Sequence, residues 1–365
     1  MRIGIDARML GNTGIGRYLD NLLRHLARID SRNEYLVFIN QDAVPTIEQD
    51  NVTYFPLPQY VPLYSLREQY GLPFQIRKRQ PDIMYYPNFS LPLFQSCPYI
   101  VTIHDLIYYL YPDQCPSRAA HYYARFMIGY AAKHARIVLT DSQHSKNDLL
   151  EHFHLPPDNI HVVFPAADPR CVQSPVLSER MLQERFGLTA PYILYVGKHH
   201  SYKNIRGLIE AYLIHSDITR HFQLVIAGRC DLRQQDMYDM ARNQKCAHQI
   251  VFTDFIEDDA LFALYKHARL FVFPSLYEGF GLPPLEAMAC GVPVVCSSAA
   301  SLPEVVGDAA LQFDPSDSQA LAEQMKAVLT TPTLWKNLRE EGLKRAERFS
   351  WEDAARQVLQ IYTSL

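Results

Sequence analysis

Residues 271–296, FVFPSLYEGFGLPPLEAMACGVPVVC, contain two apolar runs separated by a glycine-rich turn and a segment of helical character. The runs LFVFPS (270–275) and VPVVCS (292–297) are rich in Val and Phe, which favours buried strands. Between them, Pro283 and Pro284 stand where a helix would begin, and Gly291 stands just past its end. The stretch therefore predicts a strand, a turn, a helix and a second strand, which is the repeating unit of a parallel α/β sheet.

The same alternation of short apolar runs and longer segments of helical period continues on both sides of this unit. It stops near Pro165 and then begins again, which predicts two doubly wound domains with parallel sheets. The runs predicted as strands are RIGIDA (2–7), EYLVFI (34–39), VTYFPL (52–57), DIMYYP (82–87), YIVTIHD (99–105), RIVLTDS (136–142) and IHVVFP (160–165), then YILYVG (192–197), FQLVIAG (222–228), QIVFTDF (249–255), LFVFPS, VPVVCS and ALQFDP (310–315).

A length of 365 residues is enough for two domains of similar size. We expect an N-terminal domain over residues 1–170, a linker rich in proline and polar residues over 171–190, and a second domain over 191–346. The segment 347–365 predicts a terminal helix that must cover apolar surface, by packing back across the domain junction. The proline- and tyrosine-rich stretch 56–93 predicts an irregular surface lobe rather than a regular βαβ unit.

Composition excludes several classes of function. The formal net charge of −4 gives no global basic field, so nucleic acid is not expected as a partner. The 7 cysteines form no CxxC pair, which favours reduced thiols in a cytoplasmic protein. The chain opens on a predicted strand without a charged and then apolar leader, and no apolar run is long enough to span a bilayer, although a peripheral hold on a membrane surface stays open.

Ligands of open parallel sheets bind beyond the carboxyl ends of the strands, where loops enter helices whose unpaired N–H groups attract anions. The first such loop, RMLGNTGIGRYLDNLL (8–23), has Gly14 and Gly16, whose missing Cβ atoms allow a phosphate to approach the backbone. A GxGxxG dinucleotide pattern would need a glycine at Leu19, so a nicotinamide fold is disfavoured. An ordinary tight turn is the alternative.

The second loop, YVGKHHSYKN (195–204), is called here the lysine loop. It carries Lys198 and Lys203, whose ammonium groups could converge on a diphosphate. The alternative is a solvated surface. His199 and His200 have no accompanying carboxylate or thiol cluster, so no metal site is predicted. The third loop, VTIHDL (101–106), places a polar pair, His104 and Asp105, at the carboxyl end of a strand, where a histidine satisfied inside the sheet is the alternative.

The fourth loop lies in the opening stretch, where Glu278 stands in the turn LYEGFGL and Glu286 follows from about the first turn of the helix. Two carboxylates beside exposed backbone N–H groups can bind a polyhydroxylated molecule, because each oxygen accepts from one or two hydroxyls. Interaction with the helix dipole alone is the alternative for either glutamate. Ser301 and Glu304, in SLPE, have the spacing of a capping box and are predicted to be structural.

These motifs together resemble a known family. EGFGLPPLE (278–286) is similar to the E-x7-E motif of retaining glycosyltransferases of family 4, a group that includes many mannosyl- and glucosyltransferases. The resemblance covers nearly the whole chain and is most specific over residues 255–298 and 301–315. It implies an α/β protein with the GT-B fold, in which two doubly wound Rossmann-like domains face a central cleft and the C-terminal helix packs back across the junction.

The resemblance also implies roles for individual residues. His104, Lys203 and Glu278 would be catalytic: His104 beside the sugar near the transferring carbon, Lys203 on the donor diphosphate, and Glu278 on the transferred sugar. Lys198 stands where an arginine is common in the group, and a lysine keeps the positive charge but lacks the planar guanidinium that binds a phosphate through two hydrogen bonds. The implied donor-binding residues are Gly14, Gly16 and Asp105 in the first domain, Lys198 in the lysine loop, Phe255 and Ile256 beside the base, Gly279, Phe280, Gly281 and Leu282 in the turn, and Glu286 on the ribose.

The implied activity is metal-independent hexosyl transfer with retention, either through double displacement by Glu278 or through same-face attack on the donor. GDP-mannose is the first expected donor and UDP-glucose the second, with a glycan or lipid-linked acceptor of surface polysaccharide or glycolipid synthesis. Two alternatives share the architecture: a sugar-nucleotide 2-epimerase and a non-catalytic sugar-nucleotide-binding partner. The oligomeric state is left open.

Overall fold

The computed structural model describes residues 1–11, 14–173 and 177–365. Positions 12–13 of the first glycine loop and 174–176 of the predicted linker lie outside these ranges. The chain divides into two compact units: unit 1 comprises Met1–Pro165 and Ser350–Leu365, and unit 2 comprises Ala166–Phe349.

Within the described residues, unit 1 is built on a seven-stranded sheet in which all pairs are parallel. The strand order is β3-β2-β1-β4-β5-β6-β7, so the chain winds outward from β1 in one direction and from β4 in the other. The strands are β1 (Arg2–Asp6), β2 (Glu34–Ile39), β3 (Val52–Pro56), β4 (Ile83–Tyr86), β5 (Tyr99–Thr102), β6 (Ile137–Thr140) and β7 (Ile160–Val162).

Unit 2 repeats this winding with a six-stranded parallel sheet in the part of the chain that the structure describes. Its order, β10-β9-β8-β11-β12-β13, is that of a Rossmann-type sheet. The strands are β8 (Tyr192–Val196), β9 (Gln223–Ala227), β10 (Ile250–Asp254), β11 (Leu270–Phe273), β12 (Val294–Ser297) and β13 (Leu311–Phe313). Each strand of both sheets lies within a run predicted from the sequence, so the prediction of two doubly wound sheets is confirmed.

The helices of unit 1 follow its strands. In the first part of the chain they are α1 (Ile15–Ile29), α2 (Leu66–Arg79), α3 (Ile107–Leu110), α4 (Arg118–His134) and α5 (Gln143–Phe153). Ser65, Ser117 and Ser142 cap the N-termini of α2, α4 and α5 through their side-chain oxygens, which explains where these helices begin.

Helix α2 contradicts the expected irregular lobe at residues 56–93. It is a regular helix of 14 residues with Pro73 inside it. The cap at Ser65 and the buried side chains of Leu72 and Ile76 hold it in place despite the missing proline N–H. The segment β3-α2-β4 is therefore a βαβ unit after all.

The helices of unit 2 are α6 (Arg170–Gln173), α7 (Glu179–Phe186), α8 (Ile205–Ile214), α9 (Ser216–His221), α10 (Gln235–Arg242), α11 (Asp258–His267), α12 (Leu282–Ala289), α13 (Leu302–Val306), α14 (Ser318–Thr330) and α15 (Pro332–Ala346). The described residues of the segment 171–190, expected as a linker, contribute Cys171, Leu182 and Leu188 to the core of unit 2.

The last helix, α16 (Trp351–Thr363), belongs to unit 1. It packs along α1 and buries Trp351, Ala355, Val358 and Tyr362. Ser350 caps its start by accepting from the backbone N–H groups of Glu352 and Asp353. The chain thus leaves unit 1, builds unit 2 and returns to supply one more helix. No helix among the described residues combines the length and the apolar character needed to cross a membrane.

Candidate functional site

In each sheet the strand order reverses direction between two central strands, β1 and β4 in unit 1 and β8 and β11 in unit 2. In unit 2 the neighbours β8 and β11 are separated in sequence by β9 and β10, so the loops after β8 and β11 diverge and leave a crevice at their carboxyl ends. The lysine loop follows β8 and the glycine turn with Glu278 follows β11. A backbone hydrogen bond of 2.8 Å from Leu276 N to Tyr202 O joins the two loops.

Lys203 and Glu278 meet in this crevice. The ammonium Nζ of Lys203 lies 2.6 Å from Glu278 Oε1, and both side chains are largely buried. The same Nζ lies 5.2 Å from the ring centroid of Phe273, the last residue of β11. Charge, burial and a neighbouring aromatic face hold the cation in one position. The structure therefore brings together two of the three residues predicted to be catalytic.

The turn between Glu278 and α12 is fixed by its own backbone requirements. Gly281 has φ +116°, a conformation that L side chains rarely adopt, and a Cβ there would lie 2.7 Å from Leu302 Cδ2, so the buried side chain of Leu302 would have to shift. Ser301, which is fully buried, donates to the carbonyl oxygens of Glu278 at 2.9 Å and of Phe280 at 2.7 Å. A hydroxyl has one hydrogen, so these two bonds are shared or alternate.

The predicted capping role of Ser301 is wrong. Its side chain makes no cap hydrogen bond to α13, because it reaches the carbonyls of the turn. Sequence spacing missed this contact because serine three positions before glutamate suits a capping box equally well. Of the other turn residues, Phe280 is buried edge-on against Phe349, with ring centroids 5.6 Å apart, and Leu282 begins α12.

Glu286 is the fifth residue of α12 and so lies on its second turn, not its first. The carboxylate is buried and its Oε2 accepts a hydrogen bond of 3.0 Å from the hydroxyl of Tyr265 on α11. Burial, with the nearby charge of Glu286, raises the pKa of Tyr265 well above its ordinary value, so the tyrosine stays a donor. Tyr265 was not predicted, because a tyrosine on an apolar helix face is normally core.

The rest of the lysine loop divides into an exposed and a buried part. Lys198 is exposed, in contrast to Lys203. His199 is fully buried, its Nδ1 lies 2.7 Å from the hydroxyl of Tyr238, and burial lowers its pKa to about 4. His200 pairs with Asp231 at 3.2 Å. Across the ranges that the structure describes, no group of three or more His, Cys, Asp or Glu side chains could hold a metal ion.

Phe255 and Ile256 follow β10 at the same edge of the sheet as the lysine loop. The ring of Phe255 is more than half exposed, whereas Ile256 is buried in the core of unit 2. Asp254, just before them, has φ +56°, and its Oδ1 accepts a hydrogen bond from the backbone N–H of Cys230. This bond ties the loop after β10 to the loop after β9.

In unit 1, His104 lies between two oxygen acceptors at the carboxyl end of β5. Its Nδ1 is 2.6 Å from Asp141 Oδ2 and its Nε2 is 3.0 Å from the carbonyl oxygen of Pro87. Burial works against a charged ring, but the neighbouring Asp141 outweighs it, so the pKa of His104 is raised above its ordinary value. The doubly protonated ring satisfies both acceptors, and a hydrogen bond to a sugar would require Nε2 to leave Pro87.

Two acidic residues lie near His104: Asp105, which was predicted from the sequence, and Asp141, which was not. Asp105 accepts from the backbone N–H of Ile107, the first residue of α3, at 2.9 Å. Asp141, at the end of β6, was not predicted, although an acid at the carboxyl end of the strand next to β5 was a usable signal.

Gly14 and Gly16, the two glycines of the first loop predicted to bind the donor, differ in their surroundings. Gly14 has φ +73° and precedes α1, with open space where a Cβ would be. Gly16 lies inside α1, where a Cβ would approach the carbonyl oxygen of Met9 to 2.4 Å. The position of a Cβ on Gly14 is thus open, whereas the missing Cβ of Gly16 lets α1 pack on the backbone of its own loop.

Both halves of the chain match known family models. Residues 12–170 match the model described as "Glycosyltransferase Family 4", and residues 179–345 match "Glycosyl transferases group 1". The two matches follow one another along almost the entire chain.

Curated relatives extend this similarity. The O-antigen chain mannosyltransferase B of Escherichia coli is 31% identical over 97% of this chain and 96% of that protein. The serotype-specific mannosyltransferase WbdA of Escherichia coli is 32% identical over 63% of this chain but only 29% of its own length. The O-antigen chain mannosyltransferase RfbU of Salmonella typhimurium is 26% identical over 76% of this chain and 72% of that protein.

Solved structures share the fold at lower identity. Sucrose-phosphate synthase from Thermosynechococcus elongatus superposes with a TM-score of 0.79 at 20% identity, covering 100% of this chain and 98% of that chain. Anabaena HepE in complex with UDP and glucose superposes with a TM-score of 0.77 at 19% identity, covering 100% of both chains. These similarities confirm the predicted two-domain GT-B fold.

Proposed function

Because the chain belongs to the group 1, family 4 glycosyltransferases, we propose that it transfers mannose from GDP-mannose to a glycan or lipid-linked acceptor, with retention of configuration. The observation that carries the proposal is the buried pair of Lys203 and Glu278 in the crevice of unit 2, at the carboxyl ends of β8 and β11. The choice of mannose rests on the relatives named as mannosyltransferases, and UDP-glucose is the second donor on this proposal. The product would be a surface polysaccharide or a glycolipid.

The chemistry of transfer explains why a cation and a carboxylate should stand together. Breaking the bond between the anomeric carbon and the diphosphate leaves positive charge on the sugar ring and negative charge on the leaving group. We propose that the ammonium group of Lys203 turns from Glu278 to the diphosphate when the donor binds. Glu278, released from its ion pair, then accepts hydrogen bonds from the hydroxyls of the sugar.

The other donor contacts follow from the same crevice. The backbone N–H groups of the turn after Glu278 border the sugar, and Ser301 fixes that turn through two of its carbonyls. Glu286, oriented by Tyr265, is proposed to hold the ribose hydroxyls. The exposed ring of Phe255 lies at the edge of the sheet where the base is proposed to bind.

We propose same-face attack rather than double displacement. The acceptor oxygen forms a bond to the anomeric carbon as the bond to the diphosphate oxygen breaks, and the acceptor hydroxyl proton passes to the departing diphosphate. On this proposal the carboxylate of Glu278 accepts hydrogen bonds from the sugar hydroxyls when the donor is bound, so it is engaged in binding rather than in attack on the anomeric carbon, which supports this route. A covalent glycosyl adduct on Glu278, detected by mass spectrometry of the quenched reaction, would contradict it.

Donor binding and transfer test the proposal directly. Among a panel of nucleotide sugars, we expect GDP-mannose to stabilise the protein most, by about 2.7 kcal/mol at 100 times its dissociation constant. Lys203→Ala should lower the rate of transfer by ~10²–10³, by analogy with the loss of one charge-stabilising donor. The matched control is Lys336→Ala, an exposed lysine of the same unit, which should leave the rate unchanged.

The reaction products separate the alternatives. Transfer gives free GDP and a mannosylated acceptor, and we expect both in the presence of a chelator, because the proposed diphosphate contacts are protein groups rather than a metal ion. An epimerised nucleotide sugar without GDP release would contradict the proposal. Nucleotide binding without any turnover would contradict it in favour of a non-catalytic partner.

We also propose that unit 1 binds the surface of an anionic membrane at its cytoplasmic face, where a lipid-linked acceptor would be presented. A connected surface, called here the aromatic–basic face, carries large apolar side chains that are 56–82% exposed. They are Leu66, Tyr70 and Phe74 on α2, Phe94 in the loop between β4 and β5, and Tyr122 and Phe126 on α4.

Hydrogen bonds join the parts of the aromatic–basic face. On α2, Gln69 bonds to the backbone of both Leu91 and Leu93, and on α4 the hydroxyl of Tyr130 bonds to the carbonyl of Leu93. A groove of about 430 Å³ on α2, lined in part by Leu57, Val61, Tyr70 and Phe74, adds apolar surface.

Charge complementarity selects an anionic bilayer as the occupant. The basic side chains of α2 and α4 are Arg67, Arg77, Lys78, Arg79, Arg118, Arg125 and Lys133. The acidic residue of these two helices, Glu68, is fully buried. Such a concentration of basic and aromatic residues in a chain with a net charge of −4 is typical of interfacial binding.

Vesicle sedimentation tests the membrane proposal. We expect binding to vesicles containing 30% phosphatidylserine or phosphatidylglycerol, and at least tenfold weaker binding to phosphatidylcholine vesicles. Phe74→Ser with Phe126→Ser should weaken binding to the anionic vesicles by a similar factor. Leu232→Ser, which removes an even more exposed apolar side chain from unit 2, is the control. Equal binding of all variants, or none by the unmodified protein, would contradict the proposal.

A further inference from the structure

Tyr64 holds a backbone conformation that tyrosine rarely adopts. Its φ is +58°, in the left-handed region, which is an outlier for a bulky residue. Helix ends account for the same conformation at Gln80 and His154, which are C-caps. Tyr64 instead lies just before the N-cap of α2. Such strain persists where surrounding contacts over-determine it, and it concentrates at ligand sites.

Buried side chains hold Tyr64 in this conformation. Its backbone N–H donates to Glu68 Oε2 at 3.1 Å and lies 3.2 Å from Ser90 Oγ. Glu68, fully buried, accepts from Ser90 and forms an ion pair of 2.6 Å with Arg8, which pairs in turn with Asp6 at 2.6 Å. The hydroxyl of Tyr64 accepts from Nδ2 of the buried Asn88 at 3.0 Å.

The network of Arg8, Asp6 and Glu68 is costly to bury, so a contribution to stability does not explain why it is present. Two carboxylates share one guanidinium at almost no exposure, and Nη1 of Arg8 has no hydrogen-bond partner. Buried ion pairs contribute little net stability, because desolvation offsets their attraction. What the network does achieve is to fix the backbone N–H of Tyr64, and with it the position of the ring.

Tyr64 and Tyr108 form a partly exposed aromatic surface on unit 1, called here the platform. Tyr64 is 46% exposed and Tyr108 is 40% exposed, and both pack against the buried ring of Phe89, at centroid distances of 5.7 and 6.3 Å. Tyr123 supports Tyr64 from the side, edge-on at 6.5 Å. Two half-exposed rings with hydroxyl groups offer both an apolar face and polar contacts, which suits a molecule with apolar C–H faces and hydroxyl edges.

The platform borders His104. Asn88, which donates to Tyr64, directly follows Pro87, whose carbonyl faces Nε2 of His104. Asp105 and Tyr108 follow His104 in the loop after β5 and the short helix α3. The strands β1, β4 and β5 are neighbours in the sheet, so these groups lie along one edge of it.

We propose that the platform of Tyr64 and Tyr108 binds a sugar ring of the carbohydrate acceptor, and this inference rests on the proposed function. Tyr64 is a binding residue that stacks on the sugar and does not take part in bond breaking. The network of Arg8, Asp6 and Glu68 acts as its positioning group.

Acceptor binding without donor tests the platform. The probe is α-linked mannobiose, with maltose and N,N′-diacetylchitobiose as comparison disaccharides, titrated calorimetrically into the full chain. We expect Tyr64→Ala to weaken mannobiose binding at least tenfold and Tyr64→Phe to weaken it less than threefold, since the ring is kept. Tyr60→Ala, which removes a 54% exposed tyrosine four residues away, should leave binding unchanged.

Stabilisation by GDP is measured on the same variants and should be unchanged, because the donor is proposed to bind unit 2. If Tyr64→Ala does not fold, Tyr108→Ala gives the same readout. Unaltered disaccharide binding in the folded variant, no binding of any disaccharide by the unmodified protein, or a parallel loss of GDP stabilisation overturns the platform. Absence of sugar transfer from every nucleotide sugar overturns the proposed function instead, whereas transfer with an unchanged acceptor KM in Tyr64→Ala overturns the platform alone.

Discussion

For individual side chains, the pairing of His104 with Asp141 makes the stability of unit 1 depend on pH. The folded pKa of His104 is raised above its ordinary value of about 6.5. The pair therefore contributes its full stabilisation below that unfolded value and loses it as pH rises through the raised folded pKa. We expect Asp141→Asn to lower the free energy of unfolding by roughly 1–3 kcal/mol near pH 6 and by less at pH 9.

The two tryptophans allow this to be measured in one unit. Trp335 lies in unit 2, and Trp351 lies in unit 1, where it packs on Tyr18, which in turn packs on His104. In a Trp335→Phe background, urea unfolding followed by Trp351 fluorescence reports on unit 1. Asp42→Asn, at an exposed position of the same unit, is the control. A difference between Asp141→Asn and the parent that grows with pH would contradict the assignment.

For the turn and helix that follow β11, the backbone leads to a second prediction. Gly281→Ala combines a positive φ with a Cβ 2.7 Å from Leu302, so it should displace the start of α12 and the carboxylate of Glu278 with it. We expect a loss of about 2–4 kcal/mol in stability, measured by thermal unfolding, and a fall in transfer rate.

Gly187→Ala is a matched control for that substitution. Gly187 also has a positive φ, of +68°, but nothing lies within 4 Å of the added Cβ. Only backbone strain remains, so the loss should be about 1 kcal/mol with the transfer rate retained. Equal losses for the two variants would show that the contact with Leu302 does not matter.

The strands could be predicted from the sequence more fully than the helices. Alternating apolar runs predicted the strands of both sheets, because a buried parallel strand needs a continuous apolar segment bounded by turn residues. The helix α2 was missed because Pro73 and the nearby tyrosines are typical of irregular backbone, and the cap at Ser65 is a weaker local signal. The positions of the glycine turn, Lys203 and His104 after the carboxyl ends of β11, β8 and β5 could be predicted, because each follows an apolar run in the sequence.

What could not be predicted were contacts set by tertiary packing. Ser301 lies 23 residues from Glu278 in sequence, and Asp141 lies 37 residues from His104, so only the strand order brings each pair together. The direct pairing of Lys203 with Glu278 spans 75 residues, and it depends on β8 and β11 being neighbours. The Arg8 network likewise spans β1 and α2.

For the protein as a complete chain, the return of α16 to unit 1 supports a third prediction. Trp351→Ala removes a buried ring that packs on Tyr18 of α1, and should lower the free energy of unfolding of unit 1 by about 3–5 kcal/mol. Hydrogen exchange should show faster exchange in β1 and α1, with the amides of unit 2 unchanged. Arg356→Ala, an exposed change on the same helix, should fall within about 0.5 kcal/mol of the parent.

Because the chain passes from unit 1 to unit 2 and then back, the parts of the two units are synthesised in a fixed order. Residues 166–349 emerge from the ribosome after most of unit 1 and before the segment 350–365 that completes it. At about 5–20 residues per second, this interval lasts roughly 10–40 s. During that time Tyr18 has no Trp351 to pack against, so the nascent N-terminal portion presents an uncovered helix to chaperones and proteases while the later portion is already able to fold.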